Sequence, residues 1–276
     1  MSMQEGCFVL KCGGSTLAAL PDSFFNDLCK LQKEGLSPVI VHGGGPAISN
    51  TLTALGIETE FVRGLRKTDE AVLDVVEMVL AGKINKEIVR RIQLSGARAV
   101  GLSGVDGHLI QARPVADADE VGLVGDVDTV NAALVHGIVA MGYIPVIAPL
   151  GLGADGSQRY NINADTAAGA VASGIGVKRM IVVTDVPGIM KVVEGRKEVL
   201  PCVTVSQIED MIAGGEIYGG MIPKVRAAIQ CLQGNVQEVV IVDGSEPGVL
   251  PEALKGGSNG TRIIVESGKT GSLNIG

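Results

Sequence analysis

Lys11 closes a short apolar run, Cys7 to Leu10, and is followed by Cys12-Gly13-Gly14-Ser15. A lysine beside bare backbone at a strand end suits phosphate, because glycine lets main-chain N–H groups approach the anion while the ammonium supplies charge. Similar turns follow at His42-Gly43-Gly44-Gly45, at Thr184-Asp185-Val186-Pro187-Gly188 and at Gly219 to Lys224. Lys224 falls in the first turn of an expected helix, where the macrodipole disfavours a cation unless a ligand's negative charge lies nearby. Together these turns point to a polyphosphate site. Asp165 has two readings: a helix cap, or a carboxylate that orients both Lys11 and Lys224 by charge-assisted hydrogen bonds. Arg66, beside Gly64 in a short connection, is either an ordinary surface cation or a fork for a substrate carboxylate. His42 is the only histidine near these turns. No His, Cys, Asp and Glu spacing suggests a protein-built metal centre, and no serine nucleophile elbow occurs.

The elements around these residues alternate. Apolar runs ending at Leu10, Val41, Leu102, Leu150, Val183, Val242 and Val265 read as strands, and amphipathic or alanine-rich segments between most of them read as helices. Pro21 leads a helix to about Glu34, and Pro46 fits the first turn of another that stops at Gly56. Thr68-Asp69-Glu70 starts a long helix that passes Gly82 and ends near Gly96. Residues 104–127 alternate polar, glycine and apolar residues and read as small antiparallel hairpins on one edge of the main sheet. Residues 151–160 read as a polar loop, and Thr204 caps the helix that follows it in Val205 to Ile212. This alternation is the signature of a three-layer α/β sandwich. A lobe boundary is expected near residues 150–161, dividing 1–155 from 156–276.

The 276 residues carry a formal charge of −7 and no dense Lys/Arg run, which argues against nucleic-acid binding. Apolar residues make up 46% and aromatics only 3%, so the core should be aliphatic, as buried parallel strands require. Five scattered cysteines without a CxxC pair read as reduced thiols of a cytoplasmic protein, and no apolar run is long enough for a membrane helix. Two patterns are decoys. Gly151-Leu152-Gly153-Ala154-Asp155-Gly156 matches GxGxxG but runs into Ser157-Gln158-Arg159 rather than an apolar helix. Ser267-Gly268-Lys269-Thr270 resembles the end of a Walker loop but has Ile263 where the first glycine belongs.

Taken in order, Lys11-Cys12-Gly13-Gly14, Val41 to Pro46, Phe61 to Arg66, Asn161-Ile162-Asn163-Ala164-Asp165, Thr184 to Gly188 and Gly220-Met221-Ile222-Pro223-Lys224 resemble the amino-acid kinase superfamily, in its arginine-pathway branch, over essentially the whole chain. The resemblance implies an open, mostly parallel eight-stranded sheet between helices, with an N-terminal lobe for an acyl amino acid and a C-terminal lobe for ATP. It implies ATP-dependent phosphorylation of the γ-carboxylate of N-acetyl-L-glutamate, with Mg²⁺ held largely by the nucleotide. Lys11, Lys224 and Asp165 would then be catalytic. Gly13, Gly14, Gly43, Gly44 and Gly45 would wrap the phosphoryl group, Arg66 and Asn161 would bind the amino acid's α-carboxylate, and Asn163 and the Gly43 to Gly45 turn would also bind that substrate. Thr184, Asp185, Gly188, Tyr218, Gly220 and Met221 would lie near the nucleotide.

Cys12 departs from the family pattern, where an apolar residue is common. Only Met1 to Gly6 precede the first strand, which leaves no room for the extra helix of arginine-inhibited relatives, so a homodimer with weak or absent arginine feedback is expected. Two alternatives stand beside this reading. One is a kinase for N-acetylaminoadipate or its carrier-bound form, since one methylene is worth only about 1–3 kcal/mol of discrimination. The other is a silent amino-acid or nucleotide sensor, which would not need Lys11, Asp165 and Lys224 together.

Overall fold

Eight strands build the central sheet: β1 (Cys7–Cys12), β2 (Ser37–His42), β3 (Ala99–Ser103), β4 (Ile144–Ala148), β5 (Arg179–Thr184), β6 (Cys202–Thr204), β7 (Glu238–Asp243) and β8 (Thr261–Ile264). The computed structural model describes residues 6–193, 196–219, 221–232, 234, 236–257 and 259–266. Across the sheet the order is β6-β8-β7-β5-β1-β2-β4-β3, and every neighbouring pair is parallel except β7 with β8. Lys11 lies level with Val41 on one side and Val182 on the other. The chain turns outward in opposite directions from β1, so the carboxyl ends of β1, β2 and β5 border a topological switch point, where open α/β sheets bind ligands.

Strand alternation divides β1 between two cores. Cys7 and Val9 join Val39, Val41 and Val182 under the helices Ala164–Gly174 and Met221–Leu232. Phe8, Leu10 and Cys12 face the opposite layer, with the helices Asp22–Lys33, Asn85–Leu94 and Val249–Lys255. The three-layer architecture expected from the alternation of elements, with the eight-stranded sheet that the resemblance implied, is therefore present. Small residues set the spacing of one layer: Ala167, Ala168 and Ala172 are fully buried, and a Cβ on Gly169 would meet the Cys231 sulfur at 2.6 Å. This close approach brings the helix carrying Lys224 against the one carrying Asp165.

The structure corrects several local expectations. Residues 104–127 do not decorate an edge of the main sheet. The strands Ile110–Pro114 and Val124–Val130 join Leu150–Leu152 and Arg159–Ile162 in a separate closed barrel, so strand also occupies both ends of the supposed polar loop at 151–160. The barrel closes because Asn161 pairs with Val124 in parallel, a long-range contact that local periodicity does not encode. Within the expected Thr68-Asp69-Glu70 start, Asp69 caps the long helix by accepting from Val72 N at 2.8 Å. That helix runs Glu70–Glu77, turns π-helical over Met78–Ile84, and resumes as α-helix at Asn85–Leu94. The helix Gly14–Ala19 and the hairpin Met190–Val193 with Arg196–Val199 were not expected from the sequence. Thr204 does cap its helix, in a capping box with Gln207.

Candidate active site

Lys11 emerges at the end of β1 on the face covered by helix Ala164–Gly174. It is 9% exposed and its Nζ lies 2.9 Å from Asp165 Oδ1. A half-sunk ammonium needs such a partner. Asp165 is free to provide it because the cap is its neighbour: Asn163 Oδ1 accepts from Asp165 N at 2.8 Å and from Thr166 N at 3.3 Å. The capping role that the sequence left open for Asp165 therefore belongs to Asn163. The next residue, Cys12, points into the opposite core, where burial pushes its thiol up to about 12 and keeps it protonated.

Two glycine turns meet beside this pair. Gly13 precedes and Gly14 begins the helix Gly14–Ala19; Gly43 follows β2 and donates to Cys12 O at 2.9 Å. A Cβ on Gly14 would stand 2.6 Å from both the nitrogen and Cα of Gly44, backbone against backbone. A Cβ on Gly44 would strike Ile84 and Leu80 of the π-helical turn at 2.4 and 2.6 Å. Gly45, by contrast, has open space where a Cβ would go, and its role is at the start of helix Gly45–Ala54. Lys11, Asp165, the five glycines, Arg66, Asn161 and Asn163 all line one cavity of about 230 Å³.

Arg66 is no surface cation. It is 6% exposed, and burial lowers its affinity for the proton without approaching neutrality. Its Nη2 donates to Gly45 O (3.1 Å) and Ser49 Oγ (2.8 Å), its Nη1 to Thr59 Oγ1, and its guanidinium lies 4.5 Å from the Phe61 ring centroid. The hairpin Phe61–Val62 with Leu65–Arg66 carries it over the cavity. Asn161 Nδ2 donates to Thr68 Oγ1 at 3.1 Å, and that hydroxyl donates to Arg66 O at 2.7 Å. Thr68 thus ties the two together. Sequence reasoning missed Thr68, Ser49 and Thr59, because hydroxyls that work through a second residue leave no motif.

A second cavity, about 720 Å³, is lined by Asp185, Gly188, Tyr218, Met221 and Lys224 among others. Here an expectation changes. Lys224 Nζ pairs with Asp185 Oδ1 at 3.2 Å, so each lysine has a carboxylate in its own cavity rather than both sharing Asp165. The hydrogen bond from Lys224 holds the Asp185 carboxyl below its usual range. Thr184 does not line the cavity. It is 3% exposed, and its hydroxyl bonds Val186 O and Val242 O, which shapes the Asp185 turn from behind. Gly188 has φ of +143°, and a Cβ there would meet Thr261 Oγ1 at 2.5 Å. Gly220 lies outside the described residues, as does the segment 267–270. The GxGxxG decoy belongs to the barrel, where Gly151 makes room for Ala112 and Ile162.

Two glycine turns and a buried lysine at the carboxyl ends of β1 and β2, with a roomier cavity alongside at β5, define a phosphotransferase of the α/β type. The chain belongs to the amino acid kinase family, whose model matches residues 6–243. Acetylglutamate kinase of Halalkalibacterium halodurans is 50% identical over 238 residues, covering 86% of this chain and 89% of that enzyme. A crystal structure of a Streptococcus mutans protein superposes with a TM-score of 0.81 at 29% identity, covering 95% of this chain and 99% of that one. N-acetylglutamate synthase of Neisseria gonorrhoeae, complexed with coenzyme A and N-acetyl-glutamate, reaches a TM-score of 0.79 at 23% identity, covering 96% of this chain and 61% of its own. That last likeness concerns the fold alone, and it extends to a protein described as a synthase. The fold by itself does not decide the reaction.

Proposed function

We infer that this protein transfers the γ-phosphoryl group of ATP to the γ-carboxylate of N-acetyl-L-glutamate, giving N-acetyl-L-glutamyl 5-phosphate and ADP in arginine biosynthesis. The observation that carries the chemistry is one cavity in which the Lys11–Asp165 pair and the glycine turns face a buried Arg66. The half-identical acetylglutamate kinase narrows the substrate. The acceptor carboxylate is ionised at neutral pH and already nucleophilic, so one of its oxygens attacks the γ-phosphorus without a general base while the bond to the β-phosphate oxygen breaks. What remains is alignment and charge neutralisation.

In this reading Lys11, held by Asp165, meets the oxygens between the β- and γ-phosphates, and backbone N–H groups of the two glycine turns surround the phosphoryl group in flight. Lys224 serves the leaving side. Its partner Asp185 is 67% exposed at the side chain, and an exposed pair is worth only about 0–1 kcal/mol, so a polyphosphate displaces it readily. Among the described residues no group of three or more His, Cys, Asp or Glu side chains could hold a metal ion. Mg²⁺ carried by the nucleotide would supply further charge neutralisation beside the ammonium groups of Lys11 and Lys224. The acyl amino acid belongs to the lobe 1–155, with Asn161 and Asn163 reaching its cavity from just beyond the boundary, and the nucleotide to 156–276; the protein is a cytoplasmic homodimer, and the mass in solution tests the dimer. No helix among the described residues is long and apolar enough to cross a membrane.

The direct test is trapping the acyl phosphate with hydroxylamine in the presence of ATP, Mg²⁺ and N-acetylglutamate. The hydroxamate should accumulate in step with ADP; ADP without it would contradict the reaction. Arg66→Ala should raise the KM for the acyl amino acid roughly 10- to 100-fold, the value of a hydrogen bond to a charged group, with the KM for ATP little changed. An unchanged amino-acid KM removes Arg66 from the carboxylate site. Lys224→Ala should lower kcat about 100-fold. Normal turnover with a raised KM for ATP would make Lys224 a nucleotide-binding residue only.

A further inference from the structure

The buried polar group His42-Asn85 lies behind the glycine turn and has no part in the chemistry described so far. His42 and Asn85 are both completely buried. Asn85 follows the π-helical turn, and its Nδ2 lies 2.8 Å from Val146 O, 3.2 Å from Leu102 O and 3.2 Å from His42 Nε2. The two carbonyls fix the amide's orientation, since a flip would set Oδ1 against both of them. Its Oδ1 instead accepts from Lys86 Nζ at 3.1 Å. An N–H on His42 Nε2 would point at an amide nitrogen that cannot accept it, so Nε2 is left unprotonated, sharing the amide's two protons with the two carbonyls, and the ring's one proton sits on Nδ1. From there it donates to Gly43 O at 3.1 Å. Burial holds the His42 ring neutral, down to a pKa of about 4, so there is a single proton to place.

We propose that Asn85 and His42 are positioning residues that set the plane of the Gly43–Gly44 peptide and thereby aim an N–H at the transferring phosphoryl group, a role that rests on the kinase reading above. In a trans peptide the C=O and the following N–H point in opposite directions. With Gly43 O anchored inward by His42, the Gly44 N–H faces away from the core, toward the cavity that Gly43, Gly44 and Gly45 line. An aimed donor that needs no reorganisation during the reaction is the kind that stabilises a transition state. The sequence makes room for this arrangement at a distance: Gly101 lies in the middle of β3, and a Cβ there would stand 1.9 Å from Asn85 Oδ1. A histidine that merely filled space would need neither the matching amide nor that gap.

Two isosteres separate these roles. In His42→Asn the side-chain NH₂ can take the place of Nδ1 and keep the bond to Gly43 O; in His42→Gln the amide reaches the place of Nε2 and leaves Gly43 O without its donor. His42→Gln should lose at least about tenfold more kcat than His42→Asn, with the KM values of both substrates within about threefold of the parent. Equal losses, or a larger loss in His42→Asn, would overturn the proposal. A second measurement needs no substrate and no variant that folds: the imidazole ¹⁵N spectrum of the unaltered protein should show one of its three histidines locked as the Nδ1–H tautomer. If all three carry the proton on Nε2 or exchange freely between nitrogens, the proposal fails. Should the parent protein phosphorylate no acyl amino acid while the locked tautomer is present, the kinase reading fails and the hydrogen-bond relay stands.

Discussion

Lys11→Met should lower kcat by about 100- to 1,000-fold, the cost of removing one preorganised donor from a site of charge development. Methionine keeps the length and apolar stem of the side chain, so packing at the end of β1 changes little and the charge is what is lost. Its loss is felt twice. The phosphoryl oxygens lose a cation, and Asp165, 2.9 Å away in the intact protein, becomes an unpaired carboxylate facing an anionic substrate. A double variant, Lys11→Met with Asp165→Asn, should therefore recover part of the lost turnover, because the repulsive charge goes too. Steady-state kinetics on the two proteins check this. Near-parental kcat in Lys11→Met would mean that the ammonium does not meet the transferring group.

Gly14→Ala should be nearly as damaging for a different reason. The new methyl would stand 2.6 Å from Gly44 N and Cα. Those are backbone atoms, which cannot rotate aside as a side-chain end does, so the two turns must separate. Overpacking of this kind costs roughly 1–3 kcal/mol of stability. The larger effect is on kcat, which should fall about 100-fold because displaced N–H donors no longer converge on one phosphoryl group, and misplacement of a reacting group by about 1 Å costs that much. Gly137→Ala is the control: Gly137 lies in helix Ala132–Ala140, with nothing within 4 Å of a Cβ. It should stabilise by about 0.5–1 kcal/mol and leave kcat unchanged. Kinetics and thermal unfolding of the two variants together separate damage to the cradle from damage to the fold.

The glycines that line the smaller cavity were legible as one group in the sequence because each set follows a strand, and strand ends are where free backbone donors collect. Gly14 and Gly44 are necessary to one another, which sequence order alone does not reveal; parallel pairing of β1 with β2 brings them together. Asp165 was identified but given one partner too many, since Lys224 rests on Asp185 in a neighbouring cavity. Whether Asp165 also caps its helix was left open, because Asn163 and Asp165 both suit an N-terminus; the cap is Asn163, two residues earlier. Thr184 illustrates the opposite case: a residue in the right motif whose hydroxyl is spent on the turn itself.

The barrel was illegible for a reason of range. Val124–Val130 alternates as an edge strand does, and whether it extends the main sheet or closes on Arg159–Ile162 depends on a pairing more than thirty residues away. The π-helical turn was hidden because Met78–Ile84 has ordinary helical composition. It sets the surroundings of the glycine turn, since it presents Leu80 and Ile84 to Gly44 and turns Asn85 toward His42.

The central claim is a kinase that reads N-acetylglutamate, and the ratio of kcat/KM for N-acetylglutamate to that for N-acetylaminoadipate, measured as ATP-dependent hydroxamate formation, tests it most directly. A pocket distinguishes one methylene by about 10- to 200-fold, and a ratio in that range is the result expected. A ratio below one would leave the fold and the phosphoryl chemistry in place and contradict the assignment of the substrate, while no product from either acid would contradict the account at its root.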